Sequence, residues 1–214
     1  MGLAISVHSY AFALSEGDLE YAEDLRRDLA AINRVLAEND LPAHEEPETR
    51  GAATRREHMG SFPYSFLHYL RRAYAHAYTN PSEPLTPVAA GENPTEDELV
   101  DDLLYMFDCH LISHSDAEGC YVPIDFDHVL AAEAADIALP GGILGSSVAL
   151  LRELTYLAPY LGIELRDGVL TDEVAATMAR TEDDDPFARE REVWLTLFES
   201  ARVSVANNTL ISFG

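Results

Sequence analysis

His110–Phe126 reads HLISHSDAEGCYVPIDF. It sets His110, His114, Cys120, three carboxylates and Gly119 among apolar residues. An amphipathic pattern precedes it, with Leu99, Leu103, Met106, Phe107 and His110 recurring at helical spacing. A second pattern, FDHVLAAEAADIALP, follows and is stopped by Pro140. Flanked in this way, the stretch reads as a loop joining two helices, and the middle of the chain as helical.

A helix–loop–helix invites comparison with a calcium loop. Such a loop needs oxygen ligands at positions 1, 3, 5 and 12, a backbone carbonyl at 7 and Gly at 6. With His114 at position 1, Asp116 falls at 3, Glu118 at 5, Gly119 at 6, Cys120 at 7 and Asp125 at 12. Gly119 can take the positive φ of a tight turn. Two ligands depart from the pattern. His114 offers nitrogen to a hard cation, and Asp125 is one methylene shorter than the usual bidentate Glu. The candidate metal ligands are therefore His114, Asp116, Glu118, Cys120 and Asp125, with Ca2+ as the first cofactor candidate and Zn2+ as the second. Cys109, His110, His114 and Cys120 are zinc-type residues, and His110 and His114 share a helix face. Their spacing matches no common zinc arrangement. The alternative is a helix-connecting turn in which Asp116 and Glu118 cap the next helix or face water.

Outward from this stretch, helical patterns dominate. Residues 15–39 repeat Leu19, Ala22, Leu25, Leu29, Ile32 and Leu36 on one face. SFPYSFLHYLRRAYAHAYT crowds aromatic side chains onto a probable core helix, with Phe66, Tyr69, Leu70 and Ala73 together. Thr95 and Glu98 match a capping box. GGILGSSVALLRELTYLAPY carries a Ser-rich cap, and Thr171 caps a further helix. The acidic run EDDDP, residues 182–186, charges the start of a long last helix, which turns Trp194, Leu197, Phe198, Ala201 and Val205 inward. Residues 41–61 and 79–95 read as loops or linkers. Strand patterns occur only at the ends, in Leu3, Ile5 and Val7 and in Leu210, Ile211 and Phe213. The expected fold is mainly α: one helical domain over 1–214, with a two-stranded sheet pairing the N- and C-terminal strands.

The 214 residues carry 38 acidic and 14 basic side chains, a formal net charge of −24, and every one of the 14 is Arg. Such a surface disfavours phosphate binding and anionic membranes, so no nucleic acid or membrane partner is expected. Coding bias or high-salt adaptation can produce this composition. So can a role in which an acidic protein mimics nucleic acid or plugs a basic toxin. No secretory signal or membrane-length apolar run is present, which points to the cytoplasm, where Cys109 and Cys120 are reduced thiols. Phosphate-cradling, nucleophile-elbow and zinc-protease motifs are absent.

SFPYSFLHYLRRAY, HSDAEGCYVPIDF and ESARVSVANNTLISFG together resemble an uncharacterised family of bacterial and phage proteins with a His-Ser-Asp-x-Asp-Gly loop. The chain departs from that pattern at Glu118 and at Val122-Pro123-Ile124. The resemblance implies no activity. It implies that Ser115, Asp116 and Gly119 share one loop. The leading expectation is a non-enzymatic interaction or regulatory protein that binds a divalent cation at 114–125. Two alternatives stand beside it: an acidic immunity- or inhibitor-type protein that neutralises a basic partner, and a small hydrolase using His114, Cys120 and His128.

Overall fold

The computed structural model describes residues 2–56, 60–178 and 185–214. The chain starts with strand β1 (Gly2–Val7) and helices α1 (Ser9–Glu16) and α2 (Leu19–Glu38). It continues through β2 (Ser61–Pro63), α3 (Tyr64–Thr79), α4 (Glu98–Met106) and α5 (His110–Ser113). β3 (Gly119–Val122), β4 (Leu130–Ala131), β5 (Ile143–Ser146) and α6 (Ser147–Leu157) follow. α7 (Asp172–Met178), α8 (Ala188–Asn207) and β6 (Ile211–Phe213) complete it.

The strands form one six-stranded mixed sheet in the order β2-β1-β6-β3-β5-β4. This corrects the expectation of a mainly α fold with a two-stranded sheet: the protein is α/β. The terminal strands do pair, with Ile5 opposite Phe213 and Val7 opposite Ile211, but they occupy the middle of a wider sheet. β3 adds to β6, with Tyr121 opposite Ile211, and runs parallel to β5, with Tyr121 opposite Gly145. The physical reason for the mismatch lies in the new strands. β3 is buried at every position and so shows no alternation, which marks a strand covered on both faces. β2 and β4 have only three and two residues. β5 reads ILGS because Gly145 lies under the Tyr121 ring, where any Cβ would collide with it.

Each face of the sheet has its own core. Leu3, Ile5, Tyr121, Ile211 and Phe213 pack with residues of α3, α6 and α8. Cys120, Val122 and Leu144 pack with Ile32, Val35 and Leu36 of α2. α8 is buried along most of its length, and Trp194 stacks on Phe198 at 4.5 Å and donates to Leu154 O at 2.7 Å. Val205, expected inside, is exposed. Residues 41–56 form no helix or strand but run as a strap. Asn207 exchanges hydrogen bonds with the backbone of Ala53. Arg56 and Arg202 both pair with Glu199, which has no solvent exposure.

Several local expectations change. α1 was not foreseen. Asp97, not Thr95, caps α4 by accepting from Leu99 N–H, while Asn93 caps the 3-10 turn Pro94–Glu96. The segment 126–139 holds β4 rather than a helix, and its Ile137 and Leu139 pack against α2. Ser146 caps α6 and Thr171 accepts from Val174 N–H, as their positions suggested. Of the EDDDP run, Glu182, Asp183 and Asp184 lie outside the described residues, and Asp185 accepts from Phe187 N–H.

Candidate functional site

β3 forms inside the 114–125 loop itself, and the segment expected as its exiting helix holds β4 instead. The loop's candidate ligands each have another setting. His114 is buried, stacks on Tyr121 at 4.0 Å, and places its two ring nitrogens against Ser115 O and Cys120 O. Asp116 faces His68 at 3.4 Å, Asp125 pairs with Arg152 at 2.7 Å, and Glu118 is exposed. Cys120 points to the α2 side of the sheet, away from the ring of His114, because neighbouring strand residues face opposite ways. Among the described residues, no group of three or more His, Cys, Asp or Glu is placed to hold a metal ion. The catalytic alternative finds no common cleft either: His114 and Cys120 are buried, whereas His128 is exposed and pairs with Asp108. Ser115 Oγ accepts from Ala117 and Glu118 N–H in a turn, and Gly119, at φ +128°, begins β3 opposite Phe213.

Behind this turn lies a polar cluster. His110 Nδ1 accepts from Ser146 N–H and Nε2 faces Phe126 O, so the ring is neutral and protonated on Nε2. Burial lowers its pKa to about 4, against carbonyl contacts that favour the charged form. Glu153 accepts from the N–H groups of His110 and Leu111 at 2.8 and 2.7 Å, capping α5. Burial raises its carboxyl to about 7 despite these bonds. Arg71, buried, donates to Leu111 O and His114 O at the other end of α5. These groups tie α5 to α3, β5 and α6 in a fixed frame. Burial raises the Cys109 thiol well above its usual value and the Cys120 thiol to about 12.

The surface on this frame is the candidate site. Residues 73–151 contain 14 acidic residues and no Arg or Lys. The stretch supplies β3, β4 and β5, the last three strands in the sheet order, together with α4. Arg side chains reach it only from outside: Arg72 to Asp97, Arg152 to Asp125 and Arg34 to Asp136. Glu83, Glu92, Glu96, Glu98, Asp101, Asp102, Glu118, Asp127 and Glu133 are exposed and carry no ion pair with any described residue.

α4 is the densest part. Glu98, Asp101 and Asp102 share a face at i, i+3 and i+4. Three charges in about 7.5 Å of helix axis give one per ~2.5 Å, against one per ~1.7 Å of duplex DNA. Asp97 anchors the helix start. Partial burial alone would raise its carboxyl, but His76 at 2.8 Å, the Leu99 N–H and Arg72 hold it below the usual carboxylate range. Met106 and Phe107, expected inside, are 59% and 50% exposed, because α4 ends at Met106 and Phe107 turns left-handed at φ 55°. Sequence reasoning missed this face although its signal, the Arg-free stretch, was present in the composition.

Among the described residues, no helix is long and apolar enough to cross a membrane. A family model described as "Putative DNA-mimic protein" matches residues 1–213. No curated protein and no solved structure matches the chain.

Proposed function

The chain belongs to that DNA-mimic family, and we propose that it is a decoy: it presents the acidic face centred on α4 to the DNA-binding surface of a basic protein and competes with DNA for it. The observation that carries this reading is the segregation of charge. Nine exposed carboxylates, without an ion pair among the described residues, come from a stretch without a single Arg or Lys. A cationic surface built to neutralise phosphates gains the same long-range attraction from these carboxylates. Such a complex forms fast at low salt and weakens as salt screens the charges. The partner is a DNA-binding protein, and the chain itself binds no nucleic acid.

The test is displacement. Soluble DNA-binding proteins are held on immobilised duplex DNA, and the purified chain is passed over them at low salt. One or a few proteins are expected to leave the DNA in a complex with the chain. Raised salt is expected to dissolve that complex. The variant Glu98→Gln/Asp101→Asn/Asp102→Asn is expected to release much less. Release of nothing by the native chain, or equal release by the triple variant, overturns the proposal.

A further inference from the structure

The acidic face has an apolar crest. Leu104, Tyr105, Met106 and Phe107 are consecutive and 43%, 85%, 59% and 50% exposed. From these fractions, and from full aromatic burial areas of 150–250 Å², the crest offers on the order of 400 Å² of apolar side chain. The crest's side chains surround the end of α4, since successive helical side chains point about 100° apart, and such a cluster of exposed apolar side chains at one helix end suits contact with a partner. Its rim is acidic on both sides, with Glu98, Asp101 and Asp102 before it and Asp108 after it, and no Arg or Lys between residues 73 and 151. The backbone also gives up comfort to hold the crest out. Phe107 takes a left-handed conformation, which a bulky non-Gly side chain rarely adopts.

We infer that this crest is the anchor of the complex: Tyr105 and Phe107 fill an apolar pocket that lies beside the phosphate-binding cations of the basic partner. The inference rests on the decoy reading and adds to it what an acidic face alone lacks, a means of choosing one cationic protein among many. Charge complementarity selects the occupant. A second copy of this chain, with net charge −24, would bring acidic rim against acidic rim in a two-fold contact. A cationic surface meets the rim with opposite charge and leaves the crest to exclude water at the centre. Tyr at the centre of a polar rim is the composition of an interface hot spot. The division of labour follows: the rim governs association rate and salt dependence, and the crest governs dissociation.

The test separates the two roles. Tyr105→Ser/Phe107→Asn removes the crest while Asn tolerates the left-handed position. Glu98→Gln/Asp101→Asn/Asp102→Asn removes charge from the rim. Both are compared with the native chain on the immobilised-DNA displacement above. Both are also titrated at moderate salt against two peptides, octa-arginine and an eight-arginine peptide interleaved with leucine and tryptophan. Circular dichroism confirms that each variant is folded. The native chain is expected to bind the mixed peptide at least tenfold more tightly than octa-arginine. The crest variant is expected to lose that difference, keep its octa-arginine affinity and displace far less protein from DNA. The rim variant is expected to weaken toward both peptides. A crest variant that binds the mixed peptide and displaces protein as the native chain does overturns the inference and leaves the decoy reading standing. A native chain that displaces nothing, with a rim variant unchanged toward both peptides, overturns the decoy reading instead. Sedimentation closes the remaining route: a dimer of the native chain in high salt that becomes a monomer in the crest variant makes the crest a self-interface and overturns the inference.

Discussion

Lowering the pH from 7 to 5 should move the stability of this fold through two opposed groups that touch each other. His110 is neutral when folded, with a pKa of about 4 against an ordinary 6.5. In the window between those values the unfolded chain binds a proton that the folded chain does not, so stability falls as pH falls. One pH unit is worth ~1.36 kcal/mol, which makes the cost at pH 5 about 2 kcal/mol. Glu153, whose carboxylate accepts the His110 N–H, is shifted the other way, to about 7 from 4.5. Between those values the folded chain binds the proton and the unfolded chain does not, so stability rises as pH falls, by up to about 2.7 kcal/mol at pH 5. The two nearly cancel. His114, also at about 4, then sets a net loss of about 2 kcal/mol. The perturbation is Glu153→Gln, which deletes the compensating group and leaves both His. Urea unfolding at pH 7 and 5 should show the native chain losing about 2 kcal/mol and the variant about 4, with Glu153→Gln/His110→Asn back near 2. The many surface carboxylates contribute equally to each and drop out of the difference. A variant that loses no more than the native chain refutes the placement of Glu153 as a buried cap of α5.

Gly145→Ala should lower stability by about 1–3 kcal/mol, read as a melting shift, because its methyl would enter the Tyr121 ring; an unchanged melt would remove the β3–β5 pairing. Glu199→Ala should cost about 2–3 kcal/mol in urea unfolding, at the low end for a buried pair because Arg56 and Arg202 are partly exposed, and Glu199→Gln should cost less. Cys109 and Cys120 should react with a thiol reagent at pH 8 only as fast as the fold opens, since burial keeps both protonated; rapid labelling of either would contradict the two cores that hold them.

What the sequence made legible was what repeats with a period or carries a cap. The inner faces of α2 and α8, the caps at Ser146 and Thr171, and the pairing of the two terminal strands follow from such signals. The interior of the sheet gave none. Cys120, Tyr121 and Val122 are buried on alternate faces of a strand covered on both sides, so their pattern is continuous and is indistinguishable from an apolar loop. Read as a loop, the same letters admit a calcium register. His114 illustrates the point: at a calcium-ligand position it offers the wrong atom, and in the fold it is a ring stacked on Tyr121 and edge-on to Phe213. Met106 and Phe107 fit the helical period of Leu99 and Leu103, but the period says nothing about where a helix ends, and α4 ends before Phe107.

The placement of charge, not its amount, separates the readings that composition left open. A coding bias or a high-salt adaptation acts on the whole chain and would put about a third of the Arg residues into 73–151, which is a little over a third of the length. None is there. Stability accounts for part of this arrangement, since Glu98 and Asp101 lie in the first turn of α4, where acids favour the helix dipole. Glu98, Asp101 and Asp102 repel one another along α4, where a single Arg or Lys at either spacing would turn repulsion into attraction. Elsewhere Glu23, Asp24, Asp172, Asp185 and Glu199 each have an Arg, as Asp97, Asp125 and Asp136 do within the stretch. A helix whose Glu98, Asp101 and Asp102 have no ion pair among the described residues, and which ends in exposed apolar side chains, gives up folding stability that the proposed basic partner would restore. The buried frame of His110, Glu153 and Arg71 behind α5 then has a clear physical use, since a surface that repels itself holds its shape only if what lies beneath it does not depend on the surface.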